Sequence, residues 1–225
     1  METKQNNRLR TVLCMAMLMA LAVAADFFLR IPGIGGFLTY EPKDAILTIG
    51  GFIFGPAAGI LMALIVCFIE MVTVSTTGLI GLLMNFLASA VFVGVSTSFY
   101  IKKKTLQRAI IGLVAGSLSM TVIMLLWNYI VTPMYMGVPR EAVLGMILPL
   151  LLPFNLLKAS LNSAVVMALY KGVVTALRKS KLLPDDKSES KGEHKSKTIV
   201  IVSISAFLVV TLVLVVLIFA GIIKF

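Results

Sequence analysis

Charged side chains are scarce in this sequence: they make up 13% of its 225 residues, against 59% hydrophobic ones. Soluble globular domains carry about 25% charged and roughly 45–50% apolar residues, so the shortage excludes an ordinary cytosolic enzyme, a disordered tail protein and a coiled coil. Histidine is reduced to His194, and cysteine to Cys14 and Cys67. Both cysteines lie in apolar runs, which suits small buried hydrophobes better than a disulfide or a metal pair. Segments of the form GxxxxGK[ST], HExxH and GxSxG are missing as well, and His194 falls in a charged stretch. An ATPase or a common metallohydrolase therefore has no residues to work with.

What the chain does have is long apolar runs, and its mean hydropathy is +1.03. Lipid is the solvent for most of it. At about 20 residues per crossing there is room for six or seven spans with short connections. The runs are Leu9 to Leu29, a short one from Asp44 to Phe54, Ala57 to Val74, Leu79 to Ile101, Ala109 to Val131, Leu150 to Leu177, and Thr198 to Ile223. Pro149 and Pro153 sit where the sixth run begins, a position at which a helix tolerates proline. Between the sixth and seventh runs, Arg178 to Lys197 holds seven Lys/Arg and four Asp/Glu and reads as a solvated linker. The expected organisation is a membrane domain over residues 1–178, a charged cytoplasmic linker over 179–197 and an additional membrane helix over 198–225.

The excess of 20 Lys and Arg over 10 Asp and Glu is not spread evenly. Lys4, Arg8 and Arg10 precede the first run, Lys102, Lys103, Lys104 and Arg108 separate the fourth from the fifth, and the linker follows the sixth. Six crossings with a cytoplasmic N-terminus put all three groups on one side, which is the positive-inside pattern. The net charge is then a topology signal and an attraction to anionic lipid, not a nucleic-acid footprint. A cleaved signal peptide ending near Ala22-Val23-Ala24 is disfavoured, because the apolar stretch continues through Leu29 and its removal would split the basic groups between the two sides.

Polar side chains inside membrane spans are expensive, and each marks a candidate site. With this orientation they all fall in the outer half: Asp26, Glu70, Asn85, Trp127 and Asn128, then Asn155, Lys158 and Asn162, with Glu41, Lys43 and Asp44 where the short second run begins. The inner halves are apolar down to the basic collars. Channels and self-sufficient transporters place polar groups at and beyond the midplane, whereas this pattern describes a polar cup opening outward over an apolar floor. Snorkelling to the interface is an alternative account of Asp26 and Glu70. Asn155, Lys158 and Asn162 are spaced i, i+3, i+7 and share one helix face. That stripe suits contact with a ligand, or, for Lys158, an ion pair with Glu70 or Glu41. The second run is only about half a bilayer long, and short helices are where membrane proteins bind small solutes. The loop before it supplies Phe37, Leu38 and Tyr40, and Trp127, Tyr129, Tyr135 and Phe154 add aromatic surface at the same level. On the first run Ala16, Ala20 and Ala24 form a small-residue stripe, suited either to internal packing or to a partner helix.

The stretch Leu38-Thr39-Tyr40-Glu41-Pro42-Lys43-Asp44, the turn Gly50-Gly51-Phe52-Ile53-Phe54-Gly55-Pro56 and above all Pro153-Phe154-Asn155-Leu156-Leu157-Lys158 resemble the substrate-binding S components of energy-coupling factor (ECF) transporters, and within that family the riboflavin-specific branch. The resemblance covers residues 8 to 178. It implies an all-α integral membrane protein, a six-helix bundle with a short second helix, in the bacterial cell membrane. It also implies a protein that is no enzyme and needs no cofactor, captures riboflavin outside, and docks on a transmembrane coupling subunit with two cytoplasmic ATP-binding subunits. Asn155 and Lys158 are the implied ligand contacts, followed by Asn128 and Leu38 to Tyr40, and Ala16, Ala20 and Ala24 match the family's docking feature. Glu41, Asn85, Trp127 and Phe154 complete the expected site. Other vitamins such as pantothenate or thiamine, FMN beside riboflavin, and a secondary transporter remain alternatives. The seventh run departs from the six-helix pattern.

Overall fold

A computed structural model describes residues 2–32, 38–75 and 77–179, together with 204, 206–209, 211 and 213. The first helix, α1 (Glu2–Leu29), leads into a two-stranded ribbon, β1 (Ile31–Pro32) and β2 (Thr39–Tyr40). Five further long or short helices follow: α2 (Lys43–Phe54), α3 (Pro56–Thr73), α4 (Gly78–Lys102), α5 (Leu106–Met136) and α6 (Arg140–Met146). A single π turn (Ile147–Leu151) joins α6 to α7 (Leu152–Lys179). Five of these segments are long and apolar enough to cross a membrane, with α6, the π turn and most of α7 acting as one. The short α2 makes the sixth element of the bundle.

The sixth crossing starts earlier than the prolines suggest. Helix resumes at Arg140, ten residues before the expected Leu150, and Pro149 lies inside the π turn with Pro153 just beyond it. A proline within a helix lacks a donor and clashes with the carbonyl four residues back. A wider i→i+5 turn makes room for that mismatch without ending the rod.

Helix α2 is the hub. It packs against α1, α3, α4 and α7, and every residue from Lys43 to Phe52 is buried. An element enclosed on all sides faces no lipid, so its length is set by its neighbours and not by the bilayer. Gly55 ends it with φ +99°, a left-handed conformation that suits glycine, and Pro56 starts α3 at once. The core runs through Leu18, Ala22, Leu47, Ile49, Met62, Val66, Phe92, Val93 and Leu113. Helices α4 and α5 approach closely at Gly112, where a Cβ would stand 2.4 Å from the Ser96 carbonyl oxygen.

The apolar floor expected under the polar end also holds aromatic side chains. Phe52 stacks on Tyr100 with ring centroids 4.3 Å apart, Tyr170 meets both rings edge-on, and the two tyrosine hydroxyls bond each other. Stacked and edge-on rings bury large apolar area, and the paired hydroxyls satisfy one another.

The linker beyond Lys179 lies outside the described residues. Among the described residues of the seventh run, Ile204 and Phe207 pack against the core.

Candidate functional site

The polar residues that lay scattered along the sequence converge at the end of the bundle away from Lys102 and Lys103. The ribbon is the organising device. Its antiparallel register sets Ile31 opposite Tyr40 and Pro32 opposite Thr39, so the flanking residues Arg30 and Glu41 face each other. The Arg30 guanidinium donates to Glu41 at 3.1 Å.

Glu41 is the centre of the site. Its Oε1 accepts from Arg30 and, at 3.0 Å, from the Asn85 amide on α4. Its Oε2 accepts from Lys158 on α7 at 2.7 Å and lies 3.0 Å from the Lys43 ammonium at the start of α2. Burial alone would raise the Glu41 carboxyl, but the Lys158 and Lys43 ammonium groups overcome it and hold the group below the ordinary carboxylate range. Asn85 also donates to Glu70 at 2.8 Å, Lys43 donates to the other Glu70 oxygen, and Arg30 reaches Glu70 at 3.1 Å. Asp44 accepts from Ser89 on α4. Asp26 stands apart from the bonded network. Both its oxygens are buried without a hydrogen bond, 3.8 Å being the nearest approach of Arg30, whose Nη1 is equally unpartnered.

Asp26 and Glu70 are 2% and 4% exposed, which rules out snorkelling for both. Buried ions lose several kcal/mol each in desolvation, regained only where hydrogen bonding is complete. The network is accordingly a positioning device for four helices and a ribbon more than a source of stability.

The α7 stripe divides its labour. Asn162 donates to the Glu41 carbonyl at 3.2 Å and accepts from the Tyr40 hydroxyl at 3.3 Å, pinning the ribbon. Lys158 holds the Glu41 carboxylate, and of the two partners considered for its ammonium it takes Glu41. Asn155 donates to the Leu151 carbonyl at 2.7 Å. Asn128 on α5 repeats that arrangement with Met124, and its carbonyl oxygen accepts from Thr132 at 2.8 Å. Each amide NH2 has two hydrogens, so one on each side chain is left for another acceptor.

A cavity of about 70 Å³ lies among these groups. Glu41, Asn85, Asn128, Asn155 and Lys158 supply its polar wall, and Leu38, Thr39 and Phe154 close it from the ribbon and α7. All eight were expected at the site. Two expected residues are placed elsewhere: Tyr40 points behind the wall to Asn162, and Trp127 lines a neighbouring apolar pocket with Tyr135, Ile80 and Val131. Their aromatic character gave no hint of which face each ring would take. Tyr129 is exposed under the Arg140 guanidinium, and Phe37 lies outside the described residues.

Arg30, Met84, Ala88 and Met124, with Ser75 and Thr77, also line the cavity and were not expected there. Arg30 read as the residue that stops the first run. Its spacing of four from Asp26 was the available signal, because i,i+4 side chains of opposite charge share a helix face. On α1, Cys14, Leu18, Ala22 and Asp26 face the interior, while Ala16 and Ala20 are exposed and Ala24 is half-buried. Among the described residues, internal packing therefore leaves Ala16 and Ala20 uncovered and covers Ala24 in part. Among the described residues no cluster of His, Cys, Asp and Glu is arranged to hold a metal ion.

Fold and site together describe a membrane protein with several apolar helices and a polar-walled cavity at one end of the bundle. The comparisons make this specific. Residues 10–170 match the family of ECF transporter substrate-specific components, and the chain belongs to that family. It is a transporter component and not an enzyme. It is 30% identical over 183 residues to the riboflavin transporter RibU of Staphylococcus aureus (strain TCH60), covering 78% of this chain and 95% of that one. Among solved structures, one described as the S component of a bacterial ECF transporter superposes with a TM-score of 0.65 at 28% identity, over 76% of this chain and 99% of the other.

Proposed function

We propose that this chain captures riboflavin at the outward cavity and hands it to an ECF coupling subunit driven by two ATP-binding subunits. The observation that carries the proposal is the convergence of Asn155, Lys158, Asn128, Asn85, Glu41, Leu38, Thr39 and Phe154 on one cavity; the likeness to a riboflavin transporter supports it. A flavin ring has an imide edge with carbonyl acceptors either side of an N–H. Amides can match both kinds of group, while Lys158 can only donate, to carbonyl or ribityl oxygens. Ligand pockets usually measure roughly 300–1,000 Å³, so the walls must give when a tricyclic ring enters. Met84 and Met124, unbranched and adaptable, are the lining side chains best able to move. Riboflavin is cargo here and no cofactor is required.

The N-terminus is assigned to the cytoplasm, so that the basic residues around Lys102 to Arg108 face inward and the cavity outward. The exposed Ala16 and Ala20, with Ala24, are the proposed docking stripe for the coupling subunit. Residues 198–225 are taken as an additional membrane helix, joined to the binding domain by the charged linker.

Riboflavin fluorescence tests the ligand. Purified protein should quench it saturably at micromolar concentration or below, and should be thermally stabilised by riboflavin in proportion to its saturation. No quenching, together with stabilisation by pantothenate or thiamine, would move the assignment to another vitamin.

A further inference from the structure

We infer that Glu41 makes the cavity selective for uncharged ligands over their phosphate esters. The inference deepens the riboflavin reading and rests on it for the choice of flavin probes. Three cations lie in or beside the cavity, and each has a carboxylate beside it. Lys158 holds Glu41 at 2.7 Å, Lys43 lies against both Glu41 and Glu70, and Arg30 bridges Glu41 and Glu70 at 3.1 Å each. Four carboxylates accompany them: Asp26, Glu41, Asp44 and Glu70, all at most 4% exposed. The group is therefore negative by one charge when all are ionised, and neutral when one carboxyl holds a proton.

Anion sites need the opposite arrangement. A phosphate is recognised by uncommitted Arg or Lys donors, often with charge to spare. Among the described residues lining this cavity, neither cation is free of a carboxylate: although Arg30 Nη1 makes no hydrogen bond, Arg30 and Lys158 both lie against Glu41, the one carboxylate that touches both. A phosphate dianion brought to Lys158 must displace Glu41 or sit against it. Displacement leaves a buried carboxylate with fewer partners, and juxtaposition sets like charges together, so both routes are unfavourable. A neutral flavin meets neither penalty, because Lys158 can share its remaining hydrogens with a carbonyl oxygen while it keeps Glu41.

The test compares riboflavin with its 5′-monophosphate, FMN, on the purified full chain by fluorescence quenching. FMN should bind more weakly by about tenfold or more at low salt. Glu41→Gln, which keeps the shape and removes the charge, should bring the two ligands to within about threefold, while Glu41→Asp should retain the discrimination. A second readout needs no flavin: inorganic phosphate, against chloride at matched ionic strength, should leave the wild-type melting temperature unchanged and raise that of Glu41→Gln. Equal affinity of the wild type for both flavins, or a wild type stabilised by inorganic phosphate, overturns anion exclusion. An unchanged FMN-to-riboflavin ratio in Glu41→Gln removes Glu41 from the role. If Glu41→Gln does not fold, loss of discrimination in Glu41→Asp, or an effect of phosphate on the wild type, still refutes the proposal. A wild type that binds neither flavin refutes the riboflavin reading instead, and the phosphate arm then decides charge selectivity by itself.

Discussion

Lys158 and Glu41 carry the site as a pair, and the two halves of the pair fail differently. Replacing Lys158 with Met removes a donor that faces the cavity while retaining the aliphatic stem. Riboflavin affinity should fall by roughly one to two decades, since a lost partner in a dry pocket costs about 1–3 kcal/mol; titration by fluorescence quenching measures it. Glu41 offers a prediction in pH. Its folded-state pKa is depressed by the Lys158 and Lys43 ammonium groups. A depressed carboxyl contributes stability that is present above its unfolded value and lost as pH falls through the folded one. The difference in melting temperature between wild type and Glu41→Gln should therefore stay level from about pH 8 to about pH 5 and shrink only in stronger acid. A difference that vanishes near neutrality would contradict the four-donor cradle.

At the scale of single elements, the bundle depends on small residues where backbones meet. Gly112 and Gly116 on α5 lie against the backbone of α4 at Ser96 and Phe92, and a Cβ on Gly112 has only 2.4 Å to that carbonyl oxygen. Gly112→Ala must push the two helices apart, which should destabilise the protein by about 1–3 kcal/mol and lower its melting temperature in detergent. The alanine stripe of α1 predicts a contrast. Ala16 and Ala20 are exposed, so Ala20→Leu should leave riboflavin binding by the isolated chain intact while blocking co-purification with a coupling subunit. Loss of ligand binding in that variant would show the stripe to be part of the chain's own packing. These elements were unevenly legible. The hydrophobic runs located α2, α3 and α4 to within a residue at each end, because hydropathy reports burial away from water directly, whereas α1 begins before its apolar run, at Glu2, and α5 continues past it to Met136. The start of the sixth crossing was misplaced, because the penalty for Pro149 and Pro153 is a local one, and a single π turn absorbs it.

For the molecule as a whole, the binding domain is expected to be complete without the linker and the last run. Among the described residues, the cavity is lined by ones between 30 and 158. Removing residues 180–225 should leave riboflavin affinity within about threefold of the full chain, provided the core survives the loss of Ile204 and Phe207, which pack against it. Affinity and melting temperature measured on the same preparation separate the two effects. A truncated chain that is thermally sound but does not bind would make the seventh run part of the site.

Most of the site's membership was legible in the sequence for one reason: in a membrane domain a polar side chain is costly, so nearly every one in the outer half has work to do. Asn85, Asn128, Asn155 and Lys158, all on the cavity wall, were marked by that scarcity, and the last two also by their shared helix face. Tyr40 and Trp127 do not line the cavity and Arg30 does, which the sequence did not disclose because aromatic rings and terminal arginines occur near interfaces whatever they face. The amino-acid sequence by itself determined the solvent and the level of the bundle at which polar groups collect, since each follows from transfer free energy summed residue by residue. Only the tertiary structure decided that Arg30 joins the cavity, that Lys158 takes Glu41 as its partner, and that Glu41 gathers donors from four separate segments. Those outcomes depend on strand register, helix rotation and the mutual approach of groups far apart in the chain, and no sum over single residues contains them.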